Sequence, residues 1–128
     1  MRCTTFAFMI ATSTLLVIGG ACSSSTASPL RVHLVVFGSV TGAEEAGIGQ
    51  MSVVVEARES CDGTAIARDS VVTNLSGYYR ANLDAAGENV VACIVSHAIT
   101  SRGAATERSP VTMRQSTDSI RIDLPLGG

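Results

Sequence analysis

Apolar and polar residues alternate along several short segments of this chain, a pattern typical of half-buried β-strands. In the segment from Arg31 to Val40, alternation places Val32, Leu34 and Val36 on one face, which we expect to be buried. Residues 51–58 alternate in the same way, and the residues expected inward there are Met51, Val53, Val55 and Ala57. Both segments therefore predict strands that cover a core with one face.

Further strands are predicted at "TAIARDSVV", "YYRANL", "NVVACIVSHAI", "SPVTMR" and "DSIRIDLPL". In the last of these, Ile120, Ile122 and Leu124 are expected inward. Turn residues separate the strands, and no segment keeps a helical period over a useful length. The pattern predicts an all-β fold over residues 31–126, an antiparallel Ig-like β-sandwich of about seven strands. The segments "TGAEEAGIGQ" and "SHAITSRGAATERS" are predicted as loops whose tips carry contacts.

The N-terminal residues have the pattern of an export signal. Arg2 supplies a positive charge, Phe6 to Ile18 is apolar without charge, and small residues precede Cys22. A charged start, a short apolar run and small residues before a cleavage point describe a secretory signal peptide, here residues 1–21. The alternative is a short membrane anchor that is not removed, although the run is shorter than the roughly 20 residues that a spanning helix needs.

The segment "VIGGAC" resembles the lipobox of bacterial lipoproteins, in which the cysteine is lipidated and becomes the new N-terminus. It departs from that pattern at Gly19, where the family prefers Leu. The resemblance implies a lipid on Cys22 that anchors the chain to a membrane, with residues 22–30 as a flexible polar tether. Ser23 resembles the signal for sorting to the outer membrane or cell surface. The alternative is cleavage after Ala27, which would release a secreted or periplasmic protein.

The four cysteines fit export. Cys3 leaves with the signal peptide and Cys22 takes the lipid, so Cys61 and Cys93 remain. An even pair in an exported chain predicts a disulfide, which would stabilise the fold by about 3–4 kcal/mol in the chain-entropy model. Two free buried thiols are the alternative.

Composition and motifs indicate little chemistry. The formal net charge is -2 and the basic residues form no stripe, so we expect no nucleic-acid partner. His33 and His97 are the strongest candidates for a general base, but they stand far apart in the sequence and we expect neither to be catalytic. Glu44, Glu45 and Asp62 are too few oxygen ligands for calcium. We predict no catalytic residue, metal or cofactor.

The stretch "TNLSGYYRANL" resembles the T-D-x-x-G-x-Y hairpin of carboxypeptidase regulatory-like domains, which are transthyretin-like β-sandwiches. Thr73, Asn74, Gly77 and Tyr79 take the places of the family's Thr, Asp, Gly and aromatic residue. From the residues alone we expect Asn74 to cap its own turn, and one tyrosine of the pair Tyr78–Tyr79 to be buried with its hydroxyl bonded. The segments "VFGSVTG", "GIGQMSVVVEA" and "GENVVACIVSHAI" resemble the family's other strands. The departures are Asn at the Asp position and Gln-Met where Gly-Ala is usual.

The resemblance implies a non-catalytic module used for folding, spacing or binding. One enzyme of this fold, 5-hydroxyisourate hydrolase, carries a Y-R-G-S tail in its active site, and this sequence has "LPLGG" instead. Two functions follow as hypotheses. The first is a binding or structural module at the cell envelope that contacts a protein or glycan. The second is a secreted small-molecule carrier or minor enzyme with a pocket.

Overall fold

A computed structural model describes residues 30–100 and 103–126 of the chain. It contains eight strands and one short 3-10 turn, Ala43–Glu45. The strands are β1 Arg31–Thr41, β2 Ser52–Arg58, β3 Ala65–Val72, β4 Tyr78–Ala86, β5 Asn89–Thr100, β6 Gly103–Arg114, β7 Asp118–Arg121 and β8 Leu124–Pro125. The predicted signal peptide, residues 1–21, and Cys22 with nearly all of the tether lie outside the described residues.

The strands form the predicted all-β sandwich. One layer has the order β3-β2-β5-β6, and the other places β1 between β4 on one edge and β7 and β8 on the other. The two layers are joined where His33 of β1 pairs with Arg114 of β6. Neighbouring strands are antiparallel except that β7 and β8 run parallel to β1. Within the described part of the chain, no helix is long and apolar enough to cross a membrane.

The core lies between the inward faces of the two layers, where the alternation predicted it. Val32, Leu34 and Val36 of β1 are at most 2% exposed, and Val53 and Val55 of β2 face them from the other layer. Each fully buried side chain of this size contributes about 1.5–3 kcal/mol through removal of apolar surface from water. Further buried members of the cluster include Ala81, Leu83, Ile94, Met113 and Leu124. The core is aliphatic, with Tyr79 as its large aromatic residue.

The segment predicted as the loop "SHAITSRGAATERS" is instead the far end of the β5–β6 hairpin. Register runs without a break from Asn89 opposite Arg114 to Thr100 opposite Gly103. Small residues bury one face of this extension, since Ser96 and Ala98 are fully buried and Ala105 is 7% exposed. The prediction of a loop was wrong here because cross-strand pairing decided the conformation of a polar, glycine-containing segment.

The C-terminal segment, predicted as one strand, is divided into β7 and β8. Its predicted inward residues Ile122 and Leu124 are buried. Between the two strands, Asp123 uses its carboxylate to accept the backbone N–H of Ser39 at 2.9 Å. A side chain here takes the place of a ladder contact, and pairing with β1 resumes at Leu124, which lies opposite Val40. The N–H of Leu126 then donates to the Thr41 carbonyl.

Leu30 and the 73–77 turn lie at opposite ends of β1. At its start, Arg31 pairs with Ala86, and the N–H of Gly87 donates to the Leu30 carbonyl at 2.9 Å. At its far end, the N–H of Val40 donates to the Gly77 carbonyl at 2.8 Å. The chain therefore enters the sandwich at the end remote from the turn that carries the family-like motif.

Candidate functional site

Thr73 is a buried polar residue that fastens the loop before β2 to the turn after β3. It is 3% exposed, and its hydroxyl donates to the Ile48 carbonyl at 2.7 Å while accepting the N–H of Met51 at 2.8 Å. Its backbone N–H also donates to the Met51 carbonyl, and its carbonyl accepts the N–H of Gln50. Every polar group of Thr73 is thus used to hold two segments together.

Asn74 and Gly77 shape the turn itself. The Asn74 side-chain oxygen accepts the N–H groups of Ser76 and Tyr78, both at 3.0 Å, which is the expected cap. Asparagine supplies this acceptor as the family's aspartate would, so the departure at this position leaves the turn intact. Gly77 has φ +85°, a left-handed conformation that glycine adopts without steric cost.

Replacement of Thr73 by valine is expected to lower the free energy of unfolding by about 1–3 kcal/mol. Valine keeps the shape but leaves the Met51 N–H and the Ile48 carbonyl without their side-chain partner in a part-buried site. Urea denaturation of the protein measures the loss. Thr73→Ser is the matched control, because it keeps the hydroxyl, and it is expected to recover most of the difference. Equal losses in the two variants would contradict the role assigned to the hydroxyl.

Tyr79 fills the core and bonds through its hydroxyl, whereas Tyr78 is half-exposed, as expected for the pair. The Tyr79 hydroxyl donates to the Ile122 carbonyl at 2.5 Å and lies 3.4 Å from the Ser96 hydroxyl oxygen. Burial raises the pKa of Tyr79, against the opposing contact with Ser96, and the negative charge of Asp123 adds to the rise. The proton is held in a bond to Ile122 of the same layer, and the Ser96 hydroxyl of β5 lies next to it from the other layer, so Tyr79 serves the architecture.

Cys61 and Cys93 form the predicted disulfide, with their Cα atoms 5.0 Å apart. Cys61 lies in the turn after β2, and Cys93 is a 4% exposed residue of β5. The Arg58 guanidinium also donates to the Cys61 carbonyl at 3.2 Å. The bond and this contact fix the β2–β3 turn against the outside of the first layer.

The remaining sequence candidates are not brought together. His33 bonds to Asp84 across β1 and β4, while His97 bonds to Thr106 across β5 and β6 in the other layer. Glu44 and Glu45 are exposed on the 3-10 turn. Among the described residues, no group of three or more His, Cys, Asp and Glu side chains is placed to hold a metal ion.

The outer face of the β4–β1–β7 layer presents the side chains that the core does not use. Phe37 of β1 lies in this face, with Arg80 of β4 opposite it on one side and Arg121 of β7 on the other. The next row places Tyr78 opposite Ser39. Phe37 and Tyr78 are 38% and 55% exposed. We refer to Phe37, Tyr78, Arg80 and Arg121 as the arginine–aromatic face.

The two arginines of this face differ in their partners. The Arg121 Nε donates to the Asp123 carboxylate at 3.0 and 3.1 Å. Partial burial acts to raise the pKa of Asp123, but the Ser39 N–H and the Arg121 guanidinium outweigh it and lower that pKa. The Arg80 side chain makes no hydrogen bond or ion pair with any other described residue. Its guanidinium, exposed beside an aromatic ring, is available to a ligand.

Asp123→Asn is expected to remove a pH dependence of stability in the acid range. Because the pKa of Asp123 is lower in the folded state than the unfolded value of about 3.9, its contribution is fully present above that value. It is lost as the pH falls through the folded pKa. The carboxylate is half-exposed, so the contribution at neutral pH is at most about 1 kcal/mol. Urea denaturation from pH 7 to pH 2 measures the difference between the two proteins, and a difference constant over this range would contradict the linkage.

Sequence reasoning did not find the arginine–aromatic face. Alternation assigned Phe37 to the face of β1 opposite the core, but it could not say which residues of other strands lie beside it. That depends on the registers of β4 and β7 against β1. The exposed pair Tyr78 and Arg80, next to the turn motif, was the available signal.

Comparison with known proteins gives a likeness of fold. No family model matches the chain, and no curated protein matches it. Catechol 1,2-dioxygenase from Acinetobacter sp. is similar in structure, with a TM-score of 0.55 and 12% identity, over 80% of this chain and 54% of that one. Chlorocatechol 1,2-dioxygenase from Pseudomonas putida is similar with a TM-score of 0.51 and 9% identity, over 80% of this chain and 63% of that one. The chain thus spans less than two thirds of these proteins, and at this identity the likeness concerns the fold alone.

Proposed function

We propose that this protein is a lipid-anchored, non-catalytic module of the bacterial cell envelope that binds a partner through its arginine–aromatic face. The observation that supports the proposal is that some polar residues hold the fold together while others are exposed without a partner in the described part of the chain. Thr73, Asn74 and Tyr79 are engaged in holding the sandwich together, whereas Arg80 stands exposed beside Phe37 with no partner among the described residues.

We also propose that the fold is that of the carboxypeptidase regulatory-like, transthyretin-like domains. Support comes from the four residues that carry the resemblance. Each has a defined task in the turn between β3 and β4: a buried hydroxyl, a capping amide, a left-handed glycine and a buried tyrosine. Such a motif supports a fold and assigns no chemistry.

The anchor is supported by residues 1–22 of the sequence and by the position at which the tether joins the domain. Leu30 meets the sandwich at the start of β1, remote from Gly77. A lipid on Cys22 would leave both layers accessible, with the tether as the only connection to the membrane surface. We do not transfer the oxygenase activity named for the similar structures, because that likeness extends to fold alone.

Cys22→Ala tests the anchor. We expect the unmodified chain, expressed in a bacterium that processes lipoproteins, to sediment with membranes, and the variant to lose that association. Cys3→Ala is the matched control, since this cysteine leaves with the signal peptide and its loss should not change the fractionation. A soluble unmodified protein would favour cleavage after Ala27 and a secreted carrier. A variant that stays with membranes after loss of residues 1–21 would contradict a lipid on Cys22, and the mass of the retained chain distinguishes this from a signal segment that was not removed.

A further inference from the structure

We propose that the arginine–aromatic face binds a polysaccharide that bears carboxylate groups, such as a polymer of uronic acids. This inference deepens the proposed binding function and rests on it. Its starting point is one row of three side chains across the β4–β1–β7 layer: Arg80, Phe37 and Arg121. We infer the class of ligand from the charge and shape of this row and from the residues beside it.

Arg80 gives this face a positive charge that no described carboxylate pairs, whereas Arg121 is paired with Asp123. Asp84, two rows away, is bonded to His33. The whole chain is slightly acidic, with a formal net charge of -2. Guanidinium groups bind carboxylates with two parallel hydrogen bonds and do not lose their charge at any ordinary pH. Arg80 has this capacity unused among the described residues, and the Arg121 bonds to Asp123 use its Nε and leave its terminal amino groups. Two strand spacings separate the two arginine backbones, about 10 Å, so the row suits an extended chain with repeated charges better than a single small anion.

The aromatic ring between the arginines suits a sugar ring. Phe37 is 38% exposed on a sheet face, and Tyr78 lies on the same face in the next row. Aromatic faces carry partial negative charge and bury large apolar area, so they accept the C–H bonds of a flat pyranose ring as well as cations. On the other side of the Phe37 row, Asn82 and Ser119 lie opposite Val35 and offer an amide and a hydroxyl to sugar hydroxyl groups.

An acidic peptide is less suited to this site. A peptide that adds to a sheet as an extra strand gains its affinity from main-chain hydrogen bonds at the sheet edge. The edge of β4 next to this face is occupied at Asn82, whose backbone N–H donates to the Asp69 carboxylate of β3 at 2.9 Å. The face itself offers side chains only, and a polysaccharide requires nothing else.

The test is calorimetric titration of the full exported chain with polygalacturonate at low salt. We expect binding that weakens as salt rises, because exposed charges are screened. Arg80→Gln and Phe37→Leu should each weaken the affinity by roughly tenfold, since one removes a charge-assisted contact and the other removes the ring while keeping apolar bulk. Arg108→Gln is the matched control. Arg108 is an exposed arginine of β6 on the other layer and should not matter. Thermal midpoints establish that each variant folds.

Three results would overturn the inference. The first is no binding by the unmodified chain, the second is an equal loss of affinity in Arg108→Gln, and the third is full affinity in Phe37→Leu.

Two comparison ligands distinguish a polysaccharide from an acidic protein as the molecule that this face binds. Fully methyl-esterified polygalacturonate keeps the sugar rings without charge and should not bind, whereas poly-glutamate keeps the charge without rings and should bind more weakly. Tight binding of poly-glutamate that depends on Arg80 but not on Phe37 would replace the polysaccharide with an acidic protein. If polygalacturonate does not bind but Cys22→Ala loses its association with membranes, the polysaccharide inference is wrong and the proposal of a lipid-anchored envelope module is retained.

Discussion

Gly77→Ala is expected to destabilise the protein by about 3 kcal/mol or more, a large part of the roughly 5–15 kcal/mol by which a domain is usually stable. Part of the loss comes from the φ of +85°, a conformation that costs an L-residue roughly 1–2 kcal/mol. The rest comes from close approach, because an added Cβ would lie 2.6 Å from the Ile48 nitrogen and 2.7 Å from the Val40 carbonyl oxygen. Both atoms are backbone and cannot turn aside, so β1 and the following loop must shift. Far-UV circular dichroism and urea denaturation measure the loss.

Gly42→Ala is the control for this prediction. Gly42 lies at the same end of the sandwich with φ -99°, and an added Cβ there meets the end of the Ile48 side chain at 3.1 Å. That side chain can move, so we expect little change in stability. If Gly77→Ala were as stable as Gly42→Ala, the turn would not depend on a left-handed residue, and the structural reading of the motif would be contradicted.

Removal of the disulfide is expected to have a comparable effect. The double variant Cys61→Ser/Cys93→Ala should lose about 3–4 kcal/mol, because the bond joins residues 32 positions apart and restricts the unfolded chain. Alanine is used at position 93 because that side chain is 4% exposed and a hydroxyl there would need a partner. Urea unfolding gives the loss as the difference between the free energies of unfolding extrapolated to water, because a less restricted unfolded chain also changes the slope.

A reducing agent supplies the control. Reductant should lower the midpoint of the unmodified chain and leave that of the double variant unchanged. A loss of under about 1 kcal/mol in the variant would show that the β2–β3 turn is held without the bond, and the Arg58 contact with the Cys61 carbonyl would then be the stronger constraint.

The sequence predicted the faces of strands better than it predicted which strands meet. Alternation identified Val32, Leu34 and Val36 as buried because one face of β1 is buried against the other layer, and a slip by one residue would expose all three. It failed at the β5–β6 hairpin, where small and polar residues such as Ser96 and Ala105 give no strong signal and pairing decides the outcome. The turn motif was predictable since its residues are contiguous.

The candidate site was less predictable for a physical reason. Phe37, Arg80 and Arg121 belong to three strands that are distant in sequence, and the row exists only through the registers that bring them together. Alternation of apolar and polar residues predicts which face of a strand a residue lies on, but it does not predict which residues of other strands lie next to it. The disulfide was predictable because the predicted signal peptide and lipid site account for Cys3 and Cys22, which leaves Cys61 and Cys93 as an even pair.

The intact mass of the mature protein purified from membranes, before and after reduction and thiol labelling, decides between an anchored and a secreted protein. We expect a chain that begins at Cys22 with an acyl-glyceryl adduct, and we expect Cys61 and Cys93 to take label only after reduction. A lipid-free chain beginning near Ser28 would contradict an anchored envelope module and indicate a freely secreted protein.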